Sequence, residues 1–528
     1  MVQEHWDVIV VGSGFGGSVS ALRLAEKGYR VLVIEQGRRF TPDDFPRSNW
    51  NLRRFMWQPE VGMRGPFKMS FTRHVTVLHG VGVGGGSLVY ANTLPTPPSA
   101  FFASGSWAGL ADWEAELRPH YATARRMLGA EKNPYLGVTD RVLRTIAEER
   151  DQAEHFDATQ VAVHFGTPGK TVPDPYFDGR GPERTGCKLC GACMLGCRHG
   201  AKNTLDKNYL WLAEKHHGAV IRPETRVDAV RAMASGGYEV HTRPTFGRWG
   251  RRPTTVLHAD RVVLSAGVMG TTELLLRMRE DPAGLPELSD QVGESVRTNS
   301  ETLIGVTSTR PDADLTKGVA IGSILHTDPY SHLEPVRYPE GSGLFRLMAL
   351  PHAPGDTLPQ RMAASVRSVL AQPGRAVRAT LVRDWSKTTA ILLYMRTTEG
   401  TLGFRLGPLG LSSRVTAGEA PTASIPEATE LAERFAHHLD GFVVSMFTET
   451  LANVPTTAHI LGGATIGATA AEGVIGPDHQ VHGYPGLYVC DGSAISANPG
   501  VNPSLTITAM SERAMSLVPA RKTAPELS

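Results

Sequence analysis

Several absences narrow the reading before any motif is considered. No run of about 18 apolar residues occurs, so no transmembrane helix is expected. The opening stretch MVQEHWDVIVVGSG has no basic leader, apolar middle segment or small-residue cleavage site. A secretory signal is therefore not expected, and the chain reads as cytoplasmic. An excess of one charge is also missing. The formal net charge is +2 over 528 residues, which gives no field that would attract nucleic acid. Cysteine is scarce at five residues, and four of them (Cys187, Cys190, Cys193, Cys197) fall within eleven positions, far from Cys490. That spacing excludes a distributed disulfide framework and points to a metal or cluster site.

Glycine is what the chain has in quantity, 56 residues, several of them clustered as if a backbone turned tightly against a ligand. The apolar run at 6–11 reads as a buried parallel strand, 15–28 as a helix stopped by Gly28, and 30–35 as a second strand. Residues 71–95 read as a glycine-rich loop over a ligand, and 166–200 as an irregular Gly-, Pro- and Cys-rich excursion. Helical spacing is expected at 108–130, 203–216, 427–450 and 270–279, the last with an N-terminal threonine cap. Strands are expected at 219–245 and 254–266. The segment 355–383 mixes Arg361, Arg367, Arg375, Arg378 and Arg383 with apolar residues. It reads either as a solvated helix with an apolar core face or as a basic amphipathic surface in peripheral contact with a membrane.

The sharpest motif is Gly12-Ser13-Gly14-Phe15-Gly16-Gly17, set between a strand and a helix, with Glu35 closing the next strand. Gly12 permits the turn, Gly14 lets backbone approach a pyrophosphate, and Gly17 lets helix pack on strand. The helix N-terminus faces the phosphate charge, and Glu35 can accept ribose hydroxyl protons while repelling a 2′-phosphate. A second glycine cluster, Gly80 to Gly86 followed by Ser87, and a late Asp491-Gly492 pair suggest an extended cofactor, FAD rather than NAD. Gly80, Gly84, Gly85, Ser87 and Val227 complete the expected cofactor set.

These segments, together with VVLSAGVMGTTELLL, VRTNSE, HILGGA and LYVCDGSAISANPGVNPSLTITAMSER, resemble the glucose–methanol–choline oxidoreductases, and among them the cholesterol-oxidase-like members. The resemblance runs from residue 8 to residue 513. It implies an α/β chain. A Rossmann-like FAD-binding domain (1–300 and 455–528) would be interleaved with an α+β substrate-binding domain on an antiparallel sheet (301–454). It also implies non-covalent FAD, because Ser87 to Asn92 holds no histidine that could carry a covalent link; His79 is read as structural. His459 in HILGGA and Asn502 in GVNP match the catalytic pair that lies over the flavin. Imidazole suits proton transfer from an alcohol, and an amide can position its oxygen.

The implied activity is oxidation of a secondary alcohol on a hydrophobic, steroid- or terpenoid-like substrate to a ketone, with oxygen or an electron-carrier protein reoxidising the flavin. The family's glutamate for moving a steroid double bond is sought at Trp385–Ala390, where Lys387 stands instead; Glu301 and Glu334 are the other acidic residues considered. Isomerisation or other non-oxidase chemistry on a lipid-like substrate is the alternative. The cysteine spacing matches a ferredoxin segment and fits a [4Fe–4S] cluster, a [3Fe–4S] cluster, zinc, or a reduced structural loop. A cluster would make the enzyme a dehydrogenase feeding a carrier.

Overall fold

The computed structural model describes residues 4–247, 252–398, 400–408 and 410–521. Its first sheet grows from the apolar run near the N-terminus. The strand His5–Val11 is buried from Trp6 onward, as a central parallel strand must be. It pairs in parallel with Val31–Ile34 on one side and Thr255–Leu264 on the other. Val220–Arg222 and Leu487–Val489 extend the parallel part, while Tyr238–Pro244 and Thr225–Ala232 add an antiparallel flank. The helix Phe15–Glu26 covers this sheet and packs on the C-terminal helix Ser504–Leu517.

The second sheet is antiparallel throughout. Across it the strands run Ala349–Pro351, Gly441–Met446, Thr302–Ser308, Thr389–Arg396, Ser331–Val336, Ser323–Asp328 and Phe156–Ala158. The helix Pro426–Leu439 lays Leu431, Phe435 and Leu439 on one face of it. The chain is thus mixed α/β, with a parallel core in the first sheet and mostly antiparallel pairing elsewhere, Thr456–Thr457 running parallel to Thr76–Gly80. No helix among the described residues is long and apolar enough to cross a membrane.

Several local expectations need correction. The helix expected over 427–450 ends at Leu439, because Asp440 turns the backbone left-handed (φ 48°) and Gly441–Met446, with β-branched Val443 and Val444, pairs with Thr302–Ser308. The short strands expected over 219–245 are present as Val220–Arg222, Thr225–Ala232 and Tyr238–Pro244. The loop expected over 71–95 contains a strand, Thr76–Gly80, paired with Phe67–Phe71 and Thr456–Thr457. The helix at 270–279 begins earlier, at Gly267, and has no side-chain cap; Thr271 lies inside it and gives its hydroxyl to Asp491 at 2.5 Å. Finally, the Arg-bearing segment forms two helices, Leu358–Ala371 and Pro373–Leu381, broken where Pro373 cannot donate to the preceding turn.

Candidate active site

The glycine motif makes a turn that only glycine can take. Gly12 sits at φ 98°, and a Cβ there would lie 2.2 Å from the Ser265 carbonyl oxygen. Gly16 and Gly17 press backbone against backbone, on Cys490 and Gly12 respectively. Gly14 differs: a Cβ built on it meets nothing within 4 Å, and it opens on a cavity of about 780 Å³. The second glycine cluster closes over this turn, since a Cβ on Gly85 would lie 2.6 Å from the Gly14 Cα. Such a cradle, lined by backbone and facing a helix N-terminus, fits a pyrophosphate.

Gly12, Gly14, Phe15, Gly16, Glu35, Gly80, Gly85, Val227, Asp491 and Gly492 all line the cavity. Gly17, Gly84 and Ser87 do not. Gly17 sits at the helix–strand contact, and Ser87 clips the loop by donating to the Gly84 carbonyl at 2.7 Å and accepting from the Leu205 amide. Glu35 is buried and accepts from the Ser13 amide and hydroxyl and the Gly37 amide. Burial pushes its carboxyl above the usual range, against those hydrogen bonds. Asp491 is likewise raised by burial, although its two oxygens take four donors from Gly267, Thr271 and Ser493. It holds two backbone turns of the cavity wall together.

At the other end of the same cavity stand His459 and Asn502. Their connections reach across both sheets. His459 Nδ1 lies 2.6 Å from Glu301, whose second oxygen accepts the Ala458 amide. His459 Nε2 lies 3.4 Å from Asn502 Nδ2, which donates to Glu334 at 3.3 Å. Burial lowers the affinity of His459 for a proton, but Glu301 and then Glu334 outweigh it, and the net shift is upward. Glu334 is fully buried, and burial raises its carboxyl to about 7. One of its oxygens and the Asn502 carbonyl oxygen are buried without a hydrogen-bond partner. His332, 3.8 Å from Glu334, is driven down to about 3 by burial and is neutral.

Of the stretches considered for an acid, Glu301 and Glu334 both meet the histidine–amide pair, whereas Trp385–Ala390 lies away from it. Trp385–Thr388 is a short helix, and Lys387 pairs with Glu340 at 2.7 Å. Glu301 lines the cavity, and Glu334 stands behind Asn502 in the strand Ser331–Val336, every residue of which is buried. A carboxylate inside a wholly buried strand was the available signal. His79, read as structural, lines the cavity beside the cofactor cradle, where burial lowers it to about 3.

The cysteine run lies behind the cavity. Cys187, Cys193 and Cys197 pack against Val161, Val163, Ala201 and Val319, and all five thiols are free. Among the described residues, no group of three or more His, Cys, Asp or Glu side chains is placed to hold a metal ion. Burial raises the Cys187 thiol to about 12, whereas Lys207 and backbone amides hold Cys197 below its usual value against the opposing effect of burial. Lys202 was missed entirely. It is buried, and its ammonium donates to the carbonyls of Leu88, Tyr90 and Cys193 at 2.9–3.1 Å, joining the cofactor loop to the cysteine loop. Burial lowers it to about 7.

Comparison with known proteins agrees with this geometry. Residues 385–511 and 179–279 match models of GMC oxidoreductases, and residues 7–42 match a model of an FAD-binding domain. A cholesterol oxidase of Mycobacterium tuberculosis is 47% identical, over 98% of this chain and 92% of its own length. One from Acinetobacter baumannii is 43% identical, over 99% and 96%. Among solved structures, a pyridoxine 4-oxidase (Mesorbium loti) superposes with a TM-score of 0.63 at 14% identity, covering 97% of this chain and 98% of its own, and so shares the fold. With a cradle for a dinucleotide at one end of the cavity and a histidine–amide pair at the other, the chain belongs to the GMC family as an FAD-dependent oxidoreductase acting on CH–OH donors.

Proposed function

We propose that the substrate is a sterol-like secondary alcohol, oxidised to the ketone at His459 and Asn502, and that Glu334 then shifts a proton to move a neighbouring double bond. The observation that carries the reading is the line Glu301–His459–Asn502–Glu334, with two unpartnered buried acceptors; its first three members line a cavity whose wall also includes Met69, Met194, Tyr338, Ile391 and Leu393, and Glu334 backs Asn502. An apolar body with one hydroxyl suits such a site. The names of the relatives, cholesterol oxidases, point the same way.

Gly12, Gly14, Phe15, Gly16, Glu35, Gly80, Gly85, Val227, Asp491 and Gly492 would hold FAD without a covalent link. FAD held there would supply the acceptor for the hydride of the carbinol carbon. Glu301 accepts the Nδ1 proton of His459, which leaves Nε2 as the acceptor facing Asn502. His459 Nε2 then takes the hydroxyl proton, and the Asn502 amide Nδ2 orients the hydroxyl oxygen by donating to it. Glu334, half ionised near pH 7, removes a proton alpha to the new ketone and returns it two carbons away.

Oxygen is the acceptor that the relatives' activity suggests. The cysteine loop does not form a metal site among the described residues, so no electron-transfer step is routed through it. An anaerobic absorbance titration with a sterol panel tests the whole reading. Flavin bleaching by a sterol is expected in the wild type and not in His459→Ala; equal bleaching in both would overturn it.

A further inference from the structure

We infer that the two helices Leu358–Ala371 and Pro373–Leu381 form a docking surface for an anionic lipid bilayer. The helices carry an inverted pattern. Leu358, Met362, Val366 and Leu370 recur every fourth residue along the first helix, and Val377 and Leu381 do so along the second. That spacing makes one apolar stripe, which ordinarily faces a core. Here it faces out. Leu370 and Leu381 are 73% exposed and nearby Leu347 is 72% exposed, the three highest values for large apolar side chains among the described residues. The buried side chain of the first helix is polar, Arg361, which donates to the carbonyls of Gly355, Asp356, Thr450 and Leu451, while the second helix rests small residues, Ala376 and Ala379, on Phe442. Arg346 ties the turn carrying Leu347 to the second helix through the carbonyls of Thr380 and Val382.

Charge selects the occupant. No acidic residue occurs between Asp356 and Asp384, while Arg367, Arg378 and Arg383 stand exposed beside the apolar stripe. A basic rim around exposed leucines matches an interfacial helix pair on anionic headgroups. A second copy fits worse, because a two-fold contact would set these arginines against each other. Exposed Trp50, packed beside Gly343, adds an interfacial aromatic at the edge of the same face.

The surface is joined to the wall of the active-site cavity by packed side chains. Phe345, two residues from Leu347, has its ring 5.4 Å from that of Tyr338 and 6.3 Å from that of Phe67, and both of these line the cavity. Phe345 therefore packs between the turn carrying Leu347 and the cavity wall, so the docking face and the substrate pocket share one body of apolar packing. Docking would bring a lipid-dissolved substrate to that part of the molecule, a consequence that rests on the sterol reading above.

The test uses flavin-loaded enzyme sedimented with phosphatidylcholine vesicles, with and without phosphatidylglycerol. The wild type is expected to sediment with the anionic vesicles. Leu370→Asp/Leu381→Asp is expected to lose at least about tenfold of that binding while turning over detergent-dispersed sterol at the wild-type rate. Arg367→Glu/Arg378→Glu should lose only the part that depends on phosphatidylglycerol. Wild type that stays in the supernatant with both vesicles, or a Leu370→Asp/Leu381→Asp variant that sediments like wild type, overturns the proposal. So does a dimer, seen by ultracentrifugation, that this variant dissolves while neither protein binds vesicles. Vesicle binding without turnover of any sterol would remove the substrate reading and leave the docking surface standing.

Discussion

The two ends of the cavity are built on opposite rules. At the cofactor end, the chain acts through side chains it lacks. Gly12, Gly16 and Gly17 lie within a few residues of one another, and each admits a backbone neighbour where a Cβ would collide. At the substrate end, function depends on side chains that meet across long stretches of sequence: Glu301 and His459 are 158 residues apart, Glu334 and Asn502 168. The first construction is local and intolerant of bulk. The second is distributed and intolerant of altered charge. Substitutions should therefore fail differently at the two ends.

The largest effect is expected at the cofactor end. Gly12→Val would force a side chain into the Ser265 carbonyl at a positive φ, and soluble protein should be lost. Gly14→Val should fold, because its Cβ meets nothing within 4 Å, yet it fills the cradle. Its flavin-to-protein absorbance ratio is expected to fall at least about tenfold with circular dichroism unchanged. Equal flavin content would break the contrast. Next comes His459→Ala, for which stopped-flow flavin reduction by alcohol should slow by ~10²- to 10⁴-fold with flavin content intact.

Glu334→Gln sharpens the substrate end. The ketone should still form, while the isomerised product, separated by chromatography, falls roughly 100-fold. In the wild type, isomerisation should rise with pH through about 7, because the carboxyl is raised to that value and only its ionised form is a base. Glu301→Gln acts through His459. Removing the carboxylate that raises the imidazole lets burial dominate, so the acid limb of the kcat/KM profile should move to lower pH. A limb that stays put would mean that another group sets it. The smallest effect is expected behind the cavity: Cys190→Ser should change alcohol-dependent flavin reduction by less than about twofold. Iron and acid-labile sulfide in the purified protein would reverse that expectation.

The same contrast explains what could be read from the sequence. The βαβ unit and its cradle were legible because strand, turn, helix and acid follow one another within 35 residues, each obeying a local steric rule. His459 and Asn502 were legible only through the resemblance of HILGGA and GVNP to a family. Glu301 and Glu334 look like any other acids of their domain in the sequence, because no local pattern says which buried strand meets His459 and Asn502. Lys202 left no trace at all, since one lysine among neutral neighbours looks like a surface residue until burial is known. The segment 355–383 was readable as amphipathic but not as to which face points outward, since periodicity sets a stripe without setting its partner.

Lys202 deserves a last comparison with inorganic chemistry. Three carbonyl oxygens from two separate loops converge on one positive charge, the arrangement by which a potassium or calcium ion gathers strands of backbone. Here the cation grows from the chain on its own stem. Chelators and dilution cannot remove it, and only titration or mutation can. The joint between the flavin loop and the cysteine loop therefore has the geometry of an ion site and the permanence of a covalent bond.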